Sequence, residues 1–131
     1  MEYVWAYLGA GAAFLALDLL WLGVVAKGFY SRQMGDLMAP SINVSAAFVF
    51  YAMYLAGILL FAIAPALNTE NFTDSLGRGA LFGLFCYGTY DLTNLAVIRG
   101  YPARLAVVDM AWGVFLTAMA SFAGYVAATA L

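Results

Sequence analysis

The sequence contains no histidine, and this absence removes the side chain that most often binds zinc or haem and carries protons near neutral pH. Its one cysteine, Cys86, cannot form a disulfide within the chain. Charged residues make up 9% of the sequence, against about 25% in soluble domains. The net charge of −2 is small and the basic residues are scattered, so nothing indicates nucleic-acid binding. No cofactor motif and no run of metal-ligand spacing is present, and we therefore expect no cofactor and no metal.

Hydrophobic residues are abundant instead, at 66% of 131 residues. Four apolar stretches are each long enough to cross a hydrocarbon core of about 30 Å as a helix. They cover residues 3–26, 43–65, 77–99 and 103–130. Short links between them predict an all-α, single-domain, antiparallel bundle of four transmembrane helices in a lipid bilayer. Pro65 is expected to end the second helix, and residues 68–74 are expected to form a polar loop.

The first link, residues 27–38, carries charges but has apolar side chains at helical spacing. It fits either a short helix in the membrane interface or an ordinary loop. Ser41 or Asn43 is the expected cap of the second helix.

Loop charges predict the orientation of the bundle. Lys27, Arg32, Arg99 and Arg104 lie on one side, and Arg78 is the basic residue of the other side. The first side is therefore expected to be cytoplasmic, with both termini outside.

The third apolar stretch contains a polar run from Tyr87 to Asn94. Tyr87, Tyr90, Asp91 and Asn94 follow the spacing i, i+3, i+4 and i+7, which places them on one helix face. A carboxylate that faces lipid would cost several kcal/mol. This face is therefore expected to point towards protein or water.

Asp18 and Asp109 lie at similar depths to Asp91, roughly 9 to 14 Å from the same interface at about 1.5 Å per helical residue. Burial and mutual repulsion favour a proton on one or two such carboxyls. The cluster predicts a site for a proton, a cation or a polar head group. The alternative is that each Asp is hydrogen-bonded locally and only fixes helix packing.

Each of two aspartates is followed by a tryptophan three residues later, in Asp18/Trp21 and Asp109/Trp112. Trp112 lies too deep for an ordinary interfacial tryptophan, so it is expected to line a pocket, face a cation or pack between helices. Residues 18–25 also align without gaps with residues 91–98, which suggests two repeated helical hairpins.

Small residues form stripes that favour close helix contact. Gly79 with Gly83 and Ala120 with Gly124 are the clearest pairs, and they are candidate surfaces for a homodimer.

Several motifs resemble the bacterial membrane proteins grouped as domain of unknown function 2177. They are Asp18-Leu-Leu-Trp21, Phe29-Tyr30 with Met34-Gly35, Phe61-Ala-Ile-Ala-Pro-Ala-Leu67, Tyr87-Gly-Thr-Tyr-Asp-Leu-Thr-Asn94 and Asp109-Met-Ala-Trp-Gly113. The resemblance covers nearly the whole chain and implies a small multi-spanning protein of the bacterial inner membrane, with both termini then periplasmic. It implies no activity, substrate or catalytic residue.

Three functions fit these observations. The first is a binding or transport module for a proton, cation or polar head group, using Asp18, Asp91 and Asp109 with the residues listed above. The second is a membrane enzyme acting on a lipid or isoprenoid-like substrate with aspartates as acid and base, which the lack of histidine and cofactor motifs makes the weaker reading. The third is an accessory subunit whose polar layer fixes packing. In the first reading the partners are the bilayer, a small polar or amphiphilic ligand and a second copy of the chain.

Overall fold

The computed structural model describes residues 1–21, 23 and 43–130, and all secondary structure in this part of the chain is helical. The helices are α1 (Glu2–Leu20), α2 (Val44–Thr69), α3 (Phe72–Val97) and α4 (Ala103–Ala130). Three of them, α1, α2 and α4, are long and apolar enough to cross a membrane. The predicted all-α membrane bundle is confirmed. The predicted interfacial helix at 27–38 and the Ser41 cap lie outside the described residues.

Helix α3 differs from the other three in composition. It has 26 residues, which is sufficient length to cross a bilayer, but the polar run from Tyr87 to Asn94 lowers its hydropathy. A helix of this kind needs neighbours that cover its polar face. Helix α4 provides the largest part of that cover, since it packs most extensively against α3 and α1.

Neighbouring helices run antiparallel. The backbone of Ala6, near the start of α1, lies against Gly124 near the end of α4. Phe72 in the first turn of α3 contacts the ring of Phe122, also late in α4, at 5.7 Å between centroids. Tyr51, early in α2, bonds to Asp18, late in α1, at 2.8 Å. The ends of α1 and α3 therefore meet the starts of α2 and α4 at the opposite end of the bundle.

Glycines let α3 and α4 approach closely at the end of the bundle where α3 begins. A Cβ at Gly79 would lie 2.5 Å from the Ser121 hydroxyl, and one at Gly83 would lie 2.8 Å from Cβ of Thr117. Both glycines are buried, as are Ala120 and Gly124. The two small-residue stripes thus pack inside the chain, and a homodimer, which stays a prediction, would have to use other surfaces.

Helix α2 begins as predicted at one end and differs at the other. The Asn43 side chain accepts a hydrogen bond from the Ala46 amide at 3.1 Å and caps the helix. Pro65 does not end it, which corrects the prediction. A π-helical turn at Leu59–Ile63 precedes the proline, and the Ala64 amide bonds five residues back to Leu59. This wider turn accommodates a residue that has no amide hydrogen and would clash with the preceding turn.

The loop predicted at residues 68–74 is also shorter than expected. Helix α2 continues to Thr69, and Glu70 adopts a left-handed conformation with φ of 55°. Asn71 then caps α3 by accepting a bond from the Thr73 amide at 2.9 Å. Asp74 therefore belongs to the first turn of α3, where a carboxylate is favoured by the helix dipole.

The link between α3 and α4 is a tight reversal. Gly100 has a φ of 78°, which favours glycine, and the Tyr101 amide bonds to the Ile98 carbonyl at 3.2 Å. This turn directs Tyr101, which is 6% exposed, back into the bundle.

An apolar core joins the helices between the two ends. Its largest fully buried side chains are Phe14, Ile58, Ile63 and Leu116, with small residues such as Ala6, Ala10 and Ala62 between them. The polar residues described next lie on the side of this core where α1 and α3 end.

Candidate functional site

A cavity of about 400 Å³ lies among the four helices, near the ends of α1 and α3. It is lined by Asp18, Phe50, Tyr54, Cys86, Tyr87, Tyr90, Asp109 and Trp112. Two carboxyl groups and five aromatic rings therefore face one space. The volume is in the range of small-molecule sites, which measure roughly 300 to 1,000 Å³.

Asp18 is held on the wall of this cavity by donors from two other helices. The Tyr51 hydroxyl on α2 donates to its Oδ2 at 2.8 Å, and the Trp112 indole N–H on α4 donates to its Oδ1 at 3.5 Å. Both bonds suit an ionised carboxylate, because such a group accepts hydrogen bonds at each oxygen. Asp18 thus links three helices at the cavity.

The two tryptophans of the aspartate–tryptophan pairs meet each other. The rings of Trp21 and Trp112 stack at 4.5 Å between centroids and 9° between planes. Trp112 consequently contacts Trp21 with its ring and Asp18 with its N–H. The tryptophan of one pair binds the aspartate of the other, which is a relationship that spacing within each helix does not reveal.

Asp91 is more completely buried in the protein than the other two aspartates. It is fully buried, and its Oδ1 accepts a hydrogen bond from the Tyr101 hydroxyl at 3.1 Å. The carboxyl group of Asp109 lies beside it, within hydrogen-bonding reach. Asp91 does not line the cavity, whereas Asp109 does. Asp109 therefore stands between the buried carboxyl and the open space.

Tyr90 and Asn94 complete the surroundings of this pair on α3. Asn94 lies close enough to the Tyr101 and Tyr90 phenols to interact with both. Burial raises the pKa of Tyr101, in the link outside the helices, above its usual value of 10.0. Its phenol is therefore protonated over the physiological range and serves as a donor to Asp91.

Two tyrosines of the cavity lining pack against each other and against α4. Tyr87 lies against Gly113 of α4, where a side chain on that residue would collide with the ring. The ring of Tyr54 contacts that of Tyr87 at 6.0 Å, and its hydroxyl shares a 2.7 Å hydrogen bond with Thr117. Gly113 thus makes room for a ring that faces the cavity.

The structure brings the predicted site residues together unequally. Asp18, Asp109, Tyr87, Tyr90 and Trp112 line one cavity. Trp21 is not part of this lining but stacks on Trp112, which is. Asp91 and Asn94 also lie outside the lining, next to the Tyr101 phenol. Their functional roles stay predictions.

Sequence reasoning did not select five residues of this region, namely Phe50, Tyr51, Tyr54, Cys86 and Tyr101. Tyr51 and Tyr54 could have been identified from the sequence, because two tyrosines three residues apart share one face of a helix that has no charged residue in its apolar stretch. Nothing in the sequence distinguishes Tyr101 from an ordinary turn residue.

Comparison with known proteins identifies the family. The family model described as predicted membrane protein (DUF2177) matches residues 3–126. The chain belongs to this family. No curated protein and no solved structure matches the chain. Membership therefore agrees with the membrane-spanning helices and leaves the function of the cavity to be argued from its residues.

Proposed function

We propose that this member of the family is a membrane module that binds the positively charged group of a small organic or amphiphilic ligand in the cavity. The observation that carries the proposal is the combination of two carboxyl groups, Asp18 and Asp109, with five aromatic rings around one space. Carboxylates supply the countercharge for a cation, and aromatic faces attract it in addition.

The aromatic wall favours an organic cation over a bare metal ion. Hard metal ions require six or more oxygen ligands at short distance. A substituted ammonium group instead gains about 0.5 to 2 kcal/mol from each well-placed ring face. Trp112 and three tyrosines, Tyr54, Tyr87 and Tyr90, line the same cavity as Asp18.

The hydrogen bonds of Asp18 suit a binding role. The short bond from Tyr51, with the longer one from Trp112, orients the carboxylate, which lowers the ordering cost when a cation arrives. Both donors are neutral, and the negative charge of Asp18 therefore stays available to a ligand.

The surrounding membrane is proposed to be the bacterial cytoplasmic membrane, with both termini periplasmic. The distribution of basic residues supports this orientation, since Arg99 and Arg104 lie at the cavity end of the bundle and Arg78 lies at the other. Fusions of alkaline phosphatase to either terminus should be active if the orientation is right, and inactive fusions would reverse it.

The binding test uses phenyltrimethylammonium as the cation and tert-butylbenzene, its neutral isostere, as the matched ligand. Purified protein in nanodiscs is titrated with each, and binding is followed by tryptophan fluorescence, to which Trp112 in the cavity lining contributes together with Trp5 and Trp21. Protein-free nanodiscs correct for partitioning. We expect saturable binding of the cation that is at least tenfold tighter than that of the isostere.

Cys86 provides a second readout, because this single thiol lines the cavity. Bound cation should slow its alkylation by a maleimide. The change Asp18→Asn should weaken cation binding at least tenfold, whereas Asp74→Asn, which removes the same charge at the opposite end, should not. Equal binding of both ligands, or an unchanged Asp18→Asn variant, would refute the proposal.

A further inference from the structure

One buried side-chain oxygen in the described part of the chain lacks a hydrogen-bond partner. It is Oδ2 of Asp91, a residue with 0% exposure. The other oxygen of the same carboxyl group is satisfied by Tyr101 at 3.1 Å. An unpaired buried carboxylate oxygen is costly in any protein interior and more so within a membrane.

The neighbour of Asp91 explains how this oxygen can be satisfied. Asp109 lies beside it. If both carboxyl groups were ionised, neither could donate a hydrogen bond to the other, and their negative charges would repel. A single proton removes both difficulties. It lets one carboxyl donate to the other and leaves the pair with one negative charge.

We propose that Asp91 and Asp109 hold one shared proton on the Oδ2 side of Asp91, and that a cation entering the cavity displaces it. The first half depends only on the carboxyl pair. The second half rests on the proposed function, because Asp109 is the member of the pair that lines the cavity.

The exchange balances in atoms and charge. The O–H bond of the acid breaks, its electron pair stays on the carboxylate, and the proton passes to water through the cavity at Asp109. The arriving cation supplies one positive charge in its place. The net charge of the pair and its occupant is therefore unchanged, which avoids the burial of a second uncompensated carboxylate.

The groups around the pair determine how it titrates. Asp109 faces Asp91 from α4, and the Tyr101 phenol faces it from the link between α3 and α4. From α3 itself, Tyr90 lies near both carboxyl groups and Tyr87 lies near Asp109. Asp18 on α1 lines the same cavity as Asp109. The tyrosines are neutral donors at neutral pH, and the carboxyl pair is therefore the proposed site of proton exchange.

The first experiment is infrared spectroscopy of the protein in nanodiscs. A protonated carboxyl gives a C=O stretch that shifts in deuterated water. We expect this band in the wild type at neutral pH and its loss in Asp91→Asn. Asparagine retains a donor towards Asp109, so this variant should fold. Asp74→Asn should retain the band.

The second experiment follows protons during titration with phenyltrimethylammonium, using a pH indicator in weakly buffered solution. We expect release of up to one proton per bound cation, with loss of the carboxyl band. Over the pH range in which the free protein holds this proton, the affinity for the cation should rise with increasing pH, by up to about tenfold per pH unit. This follows because proton binding and cation binding oppose each other reciprocally. Asp91→Asn should bind the cation without releasing a proton.

The outcomes separate the two halves. Absence of the carboxyl band, or its survival in Asp91→Asn, would overturn the shared proton whether or not the cation binds. Cation binding that leaves the band and the pH unchanged would overturn the exchange alone. A band that behaves as expected in a protein that binds no cation would support the shared proton and refute both the exchange and the proposed function.

Discussion

The indole N–H of Trp112 on α4 points at Oδ1 of Asp18 on α1, 3.5 Å away, while its ring stacks on Trp21. The same aspartate receives a shorter bond, 2.8 Å, from Tyr51 on α2. Three helices therefore converge on one carboxylate. Because the Tyr51 bond is the shorter of the two, it is expected to contribute more to the stability of the bundle.

Tyr51→Phe should destabilise the protein by about 1 to 2 kcal/mol, because Asp18 then retains only the long bond from Trp112. The measurement is unfolding in mixed micelles followed by circular dichroism. Tyr125→Phe is the control, since it makes the same change on α4 away from the aspartates and should cost less than about 0.5 kcal/mol. Equal losses in the two variants would contradict the role given to the Tyr51 bond.

Gly83→Ala should destabilise the bundle by about 1 to 3 kcal/mol, because the added methyl group would overlap Thr117 and force α3 away from α4. Gly77→Ala is the control on the same helix, where a Cβ would meet nothing within 4 Å. Alanine favours helix more than glycine does, so this control should be neutral or stabilising. The same unfolding assay measures both, and a stable Gly83→Ala variant would show that the contact is not close.

The buried bond between Tyr54 and Thr117, 2.7 Å long, joins α2 to α4. Tyr54→Phe and Thr117→Val each leave one buried hydroxyl without its partner, so each should be destabilising. A double-mutant cycle should give a coupling energy of about 0.5 to 2 kcal/mol. Additive effects, within about 0.3 kcal/mol, would mean that the bond contributes nothing.

Alkaline pH should reveal the burial of Tyr101. Its pKa is raised in the folded state above the usual 10.0, so the fold favours the neutral phenol. This contribution is complete below pH 10 and is lost as the pH rises beyond it, because the unfolded chain then releases a proton that the folded chain retains. Tyr101→Phe lacks the contribution and also the bond to Asp91.

The stability difference between wild type and Tyr101→Phe should therefore favour the wild type at pH 8 and shrink above pH 10. Measuring both proteins at each pH cancels the shared contributions of the other tyrosines. A difference that stays constant up to pH 11 would argue against a buried, neutral Tyr101.

Periodicity and depth were informative because they depend on geometry within single helices. The spacing of Tyr87, Tyr90 and Asp91 indicated a face turned towards protein or water, and counting residues from the helix ends placed Asp18, Asp91 and Asp109 near one level. The structure places Asp18 and Asp109 in the lining of one cavity and buries Asp91 outside that lining.

Relations between helices were less accessible. The contact of Gly79 and Gly83 with α4 has the same sequence pattern as a dimer surface, so sequence alone could not assign it. The link from Tyr101 to Asp91 depends on the left-handed turn at Gly100. The prediction that Pro65 ends α2 is wrong because a π-helical turn accommodates a proline that a regular α-helix would not.

The close packing of Gly79 and Gly83 against Thr117 and Ser121 has an electrical consequence. A membrane potential falls mainly across the regions that water does not enter, and a full crossing is worth about 2.3 kcal/mol per charge per 100 mV. The cavity lies beyond this closely packed region, towards the end where α1 and α3 finish. An ion that reaches Asp109 from that end crosses only the smaller part of the field, so its occupancy should depend weakly on voltage.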